Sequence, residues 1–197
     1  TVAVGNFVDG THSRYGKMIC EQLQSSIQNG LVQNKNYTVV ERSNLDQIFK
    51  ELGLQNSGVV DSSSAIEIGN LSGADYTLMG KIVEAEVNAY NNFAYEGLKG
   101  KVAVSVQIVD NTTGRIISSD MISDTDSSAT KNNLKSFIKS DLVPGHMSVN
   151  RDSLIYNAAE KVANKVLERM NDMNPLVGMV VAVNTDEDTV TFDLGYD

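Results

Sequence analysis

Apolar and polar residues alternate with two different periods along this chain, and the period changes near residue 76. Residues 1–9, TVAVGNFVD, form a run of small and β-branched side chains that reads as a strand. A helix follows, with Tyr15, Met18, Ile19, Leu23 and Ile27 at helical spacing. Ser13 or Thr11 is placed to cap it, and Asn29-Gly30 is its expected stop. Tyr37 to Glu41 is expected as a second strand. Ser43 with Asp46 has the form of a capping box, and Leu45, Ile48, Phe49 and Leu52 supply that helix's apolar face. Residues 57–64 read as a turn. Ser64 with Glu67 then opens a short helix through Ile66, Ile68 and Leu71, stopping at Ser72-Gly73.

From Tyr76 the period is two. Val83, Ala85 and Val87 face one way and Glu84 and Glu86 the other, while Val102, Val104, Val106 and Ile108 form one face of the next segment. Asp110 to Gly114 reads as a hairpin turn into RIISSDMIS, completing an antiparallel meander. Alternation implies one face packed under helices and the other more exposed. Residues 119–150 are polar and weakly patterned, and are expected as a loop with a short helix at about 130–140. From Asp152 or Ser153, apolar pairs recur every four residues from Leu154 to Met170, an amphipathic helix ended by Asn174-Pro175. The rest reads as a hairpin with an acidic turn. These elements predict an α/β (α+β) fold: a mixed sheet with an antiparallel meander, packed by helices on its faces. The domains expected are 1–173 and a C-terminal hairpin, 174–197, which reads as the start of a small β domain cut short.

Composition narrows the function. Twenty-five acidic against 16 basic residues give a net charge of −9. Arginine occurs only at 14, 42, 115, 151 and 169, and no basic block is present, which disfavours nucleic acid as a partner. Cys20 is the one cysteine, so an intramolecular disulfide and a cysteine-based zinc site are excluded. It adjoins the apolar face of the first predicted helix and reads as a buried small hydrophobe. No apolar run is long enough for a transmembrane helix.

Candidate chemistry is sparse. The turn GNFVDGTHSRYG could offer helix N–H groups to an anion, but matches neither GxGxxG nor GxxxxGK[ST], so its glycines read as a tight strand-to-helix turn. Asp186, Glu187 and Asp188 lack the alternating oxygens and central glycine of a calcium loop and read as a solvated turn. Asp120, Asp124 and Asp126 read as a solvated strand end. No GxSxG, SxxK or HExxH occurs, so no catalytic, cofactor or metal residue is assigned and no enzyme is expected. Tyr90, Phe93 and Tyr95 cluster at the expected tip between two meander strands, a candidate protein-contact surface; a loop folded back on its own core is the plainer reading.

The stretch VVERSNLDQIFKELGLQNSG…AIEIGNLSGADYTLMGKI, residues 39–82, resembles the CsgG family of curli assembly and secretion lipoproteins. Related domains occur in penicillin-binding-protein activator lipoproteins and the flagellar protein FlgT. The resemblance rests on Val40, Glu41, Arg42, Leu45, Leu54, Ser57, Gly58, Asp61, Ile68, Gly69, Gly73, Ala74, Asp75 and Gly80, and extends loosely from Thr1 to Thr113. It implies an α/β domain facing the bacterial periplasm or associated with the outer membrane, held by a lipid anchor upstream of Thr1. Signature residues such as Glu41, Arg42, Leu45, Gly58, Asp61, Gly69, Gly73, Ala74 and Asp75 would then be structural, with Glu41 and Arg42 in ion pairs. Channel members of the family carry two membrane-crossing hairpins. Here residues 88–100 are too few for one, and 119–150 are interrupted by Lys131, Lys135, Lys139 and Pro144. The expectation is a non-enzymatic domain contacting other envelope proteins, itself a possible homo-oligomer. A ring-forming channel subunit is a second reading. A small-molecule or nucleotide-binding protein using Gly10 to Ser13 is a third.

Overall fold

The computed structural model describes residues 1–54, 62–91, 95–131, 151–173, 179–184 and 189–193. They contain four helices and six strands in the order β1 (Val2–Asp9), α1 (Gly16–Gln33), α2 (Arg42–Glu51), α3 (Ser62–Ser72), β2 (Tyr76–Asn91), β3 (Tyr95–Asp110), β4 (Arg115–Lys131), α4 (Arg151–Met173), β5 (Met179–Asn184) and β6 (Thr189–Asp193). The fold is α+β, as the two periods imply. The chain divides into two compact units, Thr1–Leu167 and Glu168–Asp197.

In the first unit, β1 to β4 form one mixed sheet in chain order. β1 runs parallel to β2, and β2, β3 and β4 pair antiparallel. The second unit carries the antiparallel β5–β6 ladder, with Met179 opposite Asp193 and Asn184 opposite Thr189.

The alternating pattern sorts the sheet into two faces. Leu78 is opposite Ile108, Ile82 opposite Val104 and Ala85 opposite Val102, so these residues share a face, with Val4 beside Leu78. Helices α1 and α4 cover it through Ile19, Leu23, Ile27 and Leu31 and through Ile155, Ala158, Val162 and Val166, all buried. Two glycines set this packing. A Cβ on Gly100 would fall 2.9 Å from the Leu154 backbone, and one on Gly30 would fall 2.3 Å from a Leu167 methyl. Gly100 therefore lets the α4 backbone lie on β3, and Gly30 lets α1 and α4 close together. Near β1 the opposite face is covered by α2 and α3, where Ala3, Leu45, Ile48, Phe49, Ala65, Ile68, Met79 and Val109 form one apolar cluster.

Several elements depart from the sequence reading. Helix α1 does not stop at Asn29-Gly30. It runs to Gln33, because Leu31 is buried on the same face and Gly30 serves packing rather than termination. Neither Thr11 nor Ser13 caps it: the N-cap is Tyr15 and makes no side-chain cap bond. Residues 37–41 are not a strand beyond one bridge, Val39 to Val2, closed by Val2 N–H to Thr38 O at 2.7 Å and Val40 N–H to Val2 O at 2.9 Å. Helix α2 begins one residue before Ser43, leaving no room to extend that bridge. Its N-cap is Glu41, whose carboxylate accepts the Ser43 hydroxyl at 2.8 Å. Asp46 is the i,i+4 ion-pair partner of Arg42, at 2.9 Å, not the far side of a capping box. Residues 119–131, read as loop, belong to β4 and pair with β3 along its whole length. The helix expected at 130–140 is a strand at 130 and 131; beyond that it lies outside the described residues.

Candidate functional site

Among the described signature residues, Gly69, Gly73, Ala74 and Asp75 gather where β1 and β2 begin. Asn111 is buried and holds this corner: its amide donates to Ala74 O at 2.8 Å and its side-chain oxygen accepts the Thr77 hydroxyl at 2.9 Å. Its backbone N–H donates to Asp75 O, also at 2.8 Å. Gly69 passes so close that a Cβ there would meet Asn111 Cβ at 2.5 Å. Gly73 takes φ +67°, the left-handed stop after α3. Leu45 and Ala74 are core, and Arg42 donates to Asn6 Oδ1 at 2.7 Å besides pairing with Asp46. Gly58 and Asp61 lie outside the described residues. Asn111 and Thr77 are the members sequence reasoning missed. A buried asparagine straight after a strand, at the start of a turn, is outwardly an ordinary turn residue.

The turn between β1 and α1 is closed on itself. Asp9 Oδ1 accepts the Thr11 N–H at 2.8 Å and hydroxyl at 2.7 Å, and the Thr11 hydroxyl accepts the Ser13 N–H at 3.0 Å. The Ser13 hydroxyl donates to Ala85 O at 2.6 Å, and His12 sits at φ 55°. Burial pushes the Asp9 carboxyl up, but the bonds from Thr11 and the His12 N–H outweigh it and leave it below the ordinary 3.8. A Cβ on Gly16 would lie 2.0 Å from Asp9 Oδ2, so this carboxylate occupies the N-terminus of α1. The place where a nucleotide phosphate would bind already holds a negative charge.

The acidic row on β4 is balanced by helix α4. Lys165 reaches Asp124 at 2.9 Å and Lys161 reaches Asp126 at 2.7 Å, while each lysine also donates to a β4 carbonyl at 3.0 Å. These lysine hydrogen bonds hold both carboxyls below the usual range. Among the described residues no cluster of three or more potential ligands could hold a metal ion. Asp186, Glu187 and Asp188 lie outside them. No described helix is long and apolar enough to cross a membrane.

The meander is much longer than β1. β2 and β3 have 16 residues each and β4 has 17, against 8 in β1. At about 3.3 Å per residue, the three span about 50 Å. The expected loop tip is mostly ladder: Tyr90 is in β2 opposite Gly97, and Tyr95 opens β3 opposite Lys131. Tyr90 is half-buried, and Phe93 lies outside the described residues.

A cavity of about 510 Å³ opens along the outer edge of β1, between α1 and Arg42. Cys20 is among its walls. Burial, then the charges of Asp9 and Glu21, push that thiol up to about 11, so it is protonated at neutral pH.

Residues 1–185 match the family described as curli production assembly/transport component CsgG. The chain belongs to the CsgG family. Its fold is shared by solved structures of distant sequence. Lipoprotein GNA1162 from Neisseria meningitidis is 13% identical, with 87% of this chain and 97% of that one covered, at a TM-score of 0.50. The hypothetical protein CT253 from Chlamydia trachomatis is also 13% identical, with 86% and 94% covered, at 0.55. No curated protein matches the sequence. In this CsgG-family chain, then, Gly69, Ala74 and Asp75 meet at the corner around Asn111, and membership supports an extracytoplasmic, envelope-associated role.

Proposed function

We propose that this CsgG-family domain serves assembly or secretion at the bacterial cell envelope by binding other envelope proteins, and that it is not an enzyme. The match over residues 1–185 carries the reading. Supporting it, Leu45, Gly69, Gly73 and Ala74 of the signature serve packing and turns, and Asp9 occupies the N-terminus of α1. We assign the contact surface to the far end of the meander, around Tyr90, Phe93 and Tyr95. Aromatic side chains there would supply rigid contact area. GNA1162, a lipoprotein by name, shares the fold, and in this reading an acyl anchor upstream of Thr1 holds the present domain at a membrane.

The test is crosslinking in the native bacterium, with a photoreactive residue replacing Tyr90. A discrete partner band is expected, and it should disappear in a Phe93→Ser/Tyr95→Ser background. Uniform absence of crosslinks, together with cytosolic fractionation of the full gene product, would overturn the proposal. The ring-channel reading has one point in its favour, since strands of 16 and 17 residues exceed the ~9–11 needed to span a bilayer. Against it, Asn88, Asn91, Glu96 and Lys99 interrupt any apolar stripe at the far end of β2 and β3. No conductance is expected from the detergent-treated protein in planar bilayers.

A further inference from the structure

Strand β1 is an edge of the sheet, and its outer side is only partly used. Residues 38–40 lie against it at Val2, then α2 turns away at Arg42. In a parallel ladder successive residues direct their N–H and C=O to alternate sides. Thr1 O and Gly10 N–H point to β2 and Val2 points outward, so alternation on either side of the Val4/Phe7 irregularity places the peptide groups of Val4, Phe7 and Asp9 on the outer edge. No backbone partner meets those three among the described residues. One side chain substitutes for a strand: the Gln24 amide donates to Gly5 O at 3.1 Å. The cavity of about 510 Å³ lies over this stretch and is lined by Asn6, Phe7 and Asp9, by Glu21 and Gln24 of α1, and by Arg42. Its size falls in the range of ligand sites.

The walls carry charge at both ends. At the Asn6 end stands Arg42, whose Nη1 is buried with no hydrogen-bond partner among the described residues. At the other end stand Asp9 and Glu21, with Lys17 on the same wall 3.9 Å from Glu21. The Arg42 side chain is about one-third exposed, and a carboxylate is the partner that a guanidinium pairs with best. We propose that this groove binds an extended peptide of a partner protein by strand addition to β1. The peptide runs antiparallel to β1, its carboxylate end at Arg42 and its amino or basic end toward Asp9 and Glu21. Backbone pairing supplies affinity, and the guanidinium of Arg42 supplies direction. The meander tip is a separate surface, and this site does not depend on it.

The test uses random heptapeptides with free C-terminal carboxylates, selected on the whole 197-residue chain and then measured by fluorescence polarisation. Selected peptides should shift the amide resonances of Phe7 to Gly10. Amidating their C-terminus should weaken binding about tenfold or more, a comparison that needs no protein variant. Gln24→Trp, which fills the groove, should abolish binding with the melting temperature retained. Arg42→Gln should erase the difference between acid and amide peptides, and Tyr90→Ala should leave affinity unchanged. Failure to enrich any peptide would overturn the proposal. So would binding indifferent to Gln24→Trp, or sedimentation showing two copies of this chain joined along the β1 edge.

Discussion

The two ends of the main sheet follow opposite rules. Near β1 it is enclosed on both faces, by α1 and α4 on one and by the cluster around Phe49 on the other. Further along β2, β3 and β4, the second face carries Lys81, Val83 and Met121, exposed, and an ion pair of Lys101 with Glu84 at 2.6 Å. Leu45, Gly69, Gly73 and Ala74 of the family signature sit at the enclosed end. A motif can thus be specific because a corner is hard to build rather than because it holds a site. Breaking the enclosed end should unfold the domain. Changing the open end should alter what it touches.

Four measurements put this contrast at risk, in descending size. Phe49→Ala empties the centre of the enclosed cluster and is expected to cost about 3–5 kcal/mol in urea unfolding. A value near that of an exposed residue would mean the cluster is not the second core. Asn111→Leu strands the Ala74 carbonyl and the Thr77 hydroxyl, at about 1–3 kcal/mol for each group left unpaired. The Thr77→Val/Asn111→Leu pair should recover part of this loss, and strict additivity would argue against a shared network.

The third concerns the bridge between α4 and β4. Lys161→Ala/Lys165→Ala should cost no more than about 1 kcal/mol at neutral pH, because both pairs are partly exposed. Asp124 and Asp126 have folded pKa values below the ordinary 3.8. Their contribution is therefore complete above that value and is lost as pH falls through and beneath it. The double variant should show a flatter acid limb in thermal melts from pH 5 to pH 2. The smallest effect is expected for Tyr90→Ala at the open end, within about 0.5 kcal/mol. A loss of several kcal/mol would make that tyrosine part of a core and withdraw it as a contact residue.

Sequence legibility tracked the same divide. Val102, Val104, Val106 and Ile108 announced a strand because one face of it is uniformly apolar. β4 is half hidden: Ser119, Ser123 and Ser127 look like loop, and only the β3 ladder and two lysines about forty residues away make them strand. Gly30 was misread because glycine's two uses, ending a helix and admitting a neighbour, are indistinguishable until Leu167 is placed. Ser43 and Asp46 have cap spacing, yet Arg42 outcompetes that arrangement by pairing with Asp46. The groove beside β1 had no sequence signal. It arises where residues 38–40 stop pairing, a termination written in the geometry of α2.

The glycine pair under α4 also bears on how the chain is made. Val102, Val104 and Ile108 are synthesised long before Leu154 and Ile155, the residues whose backbone rests on Gly100. A nascent chain therefore emerges with an apolar sheet face that α1 alone cannot cover. Its window for misassociation closes only when the ribosome has passed residue 167 and α4 can settle against Gly30.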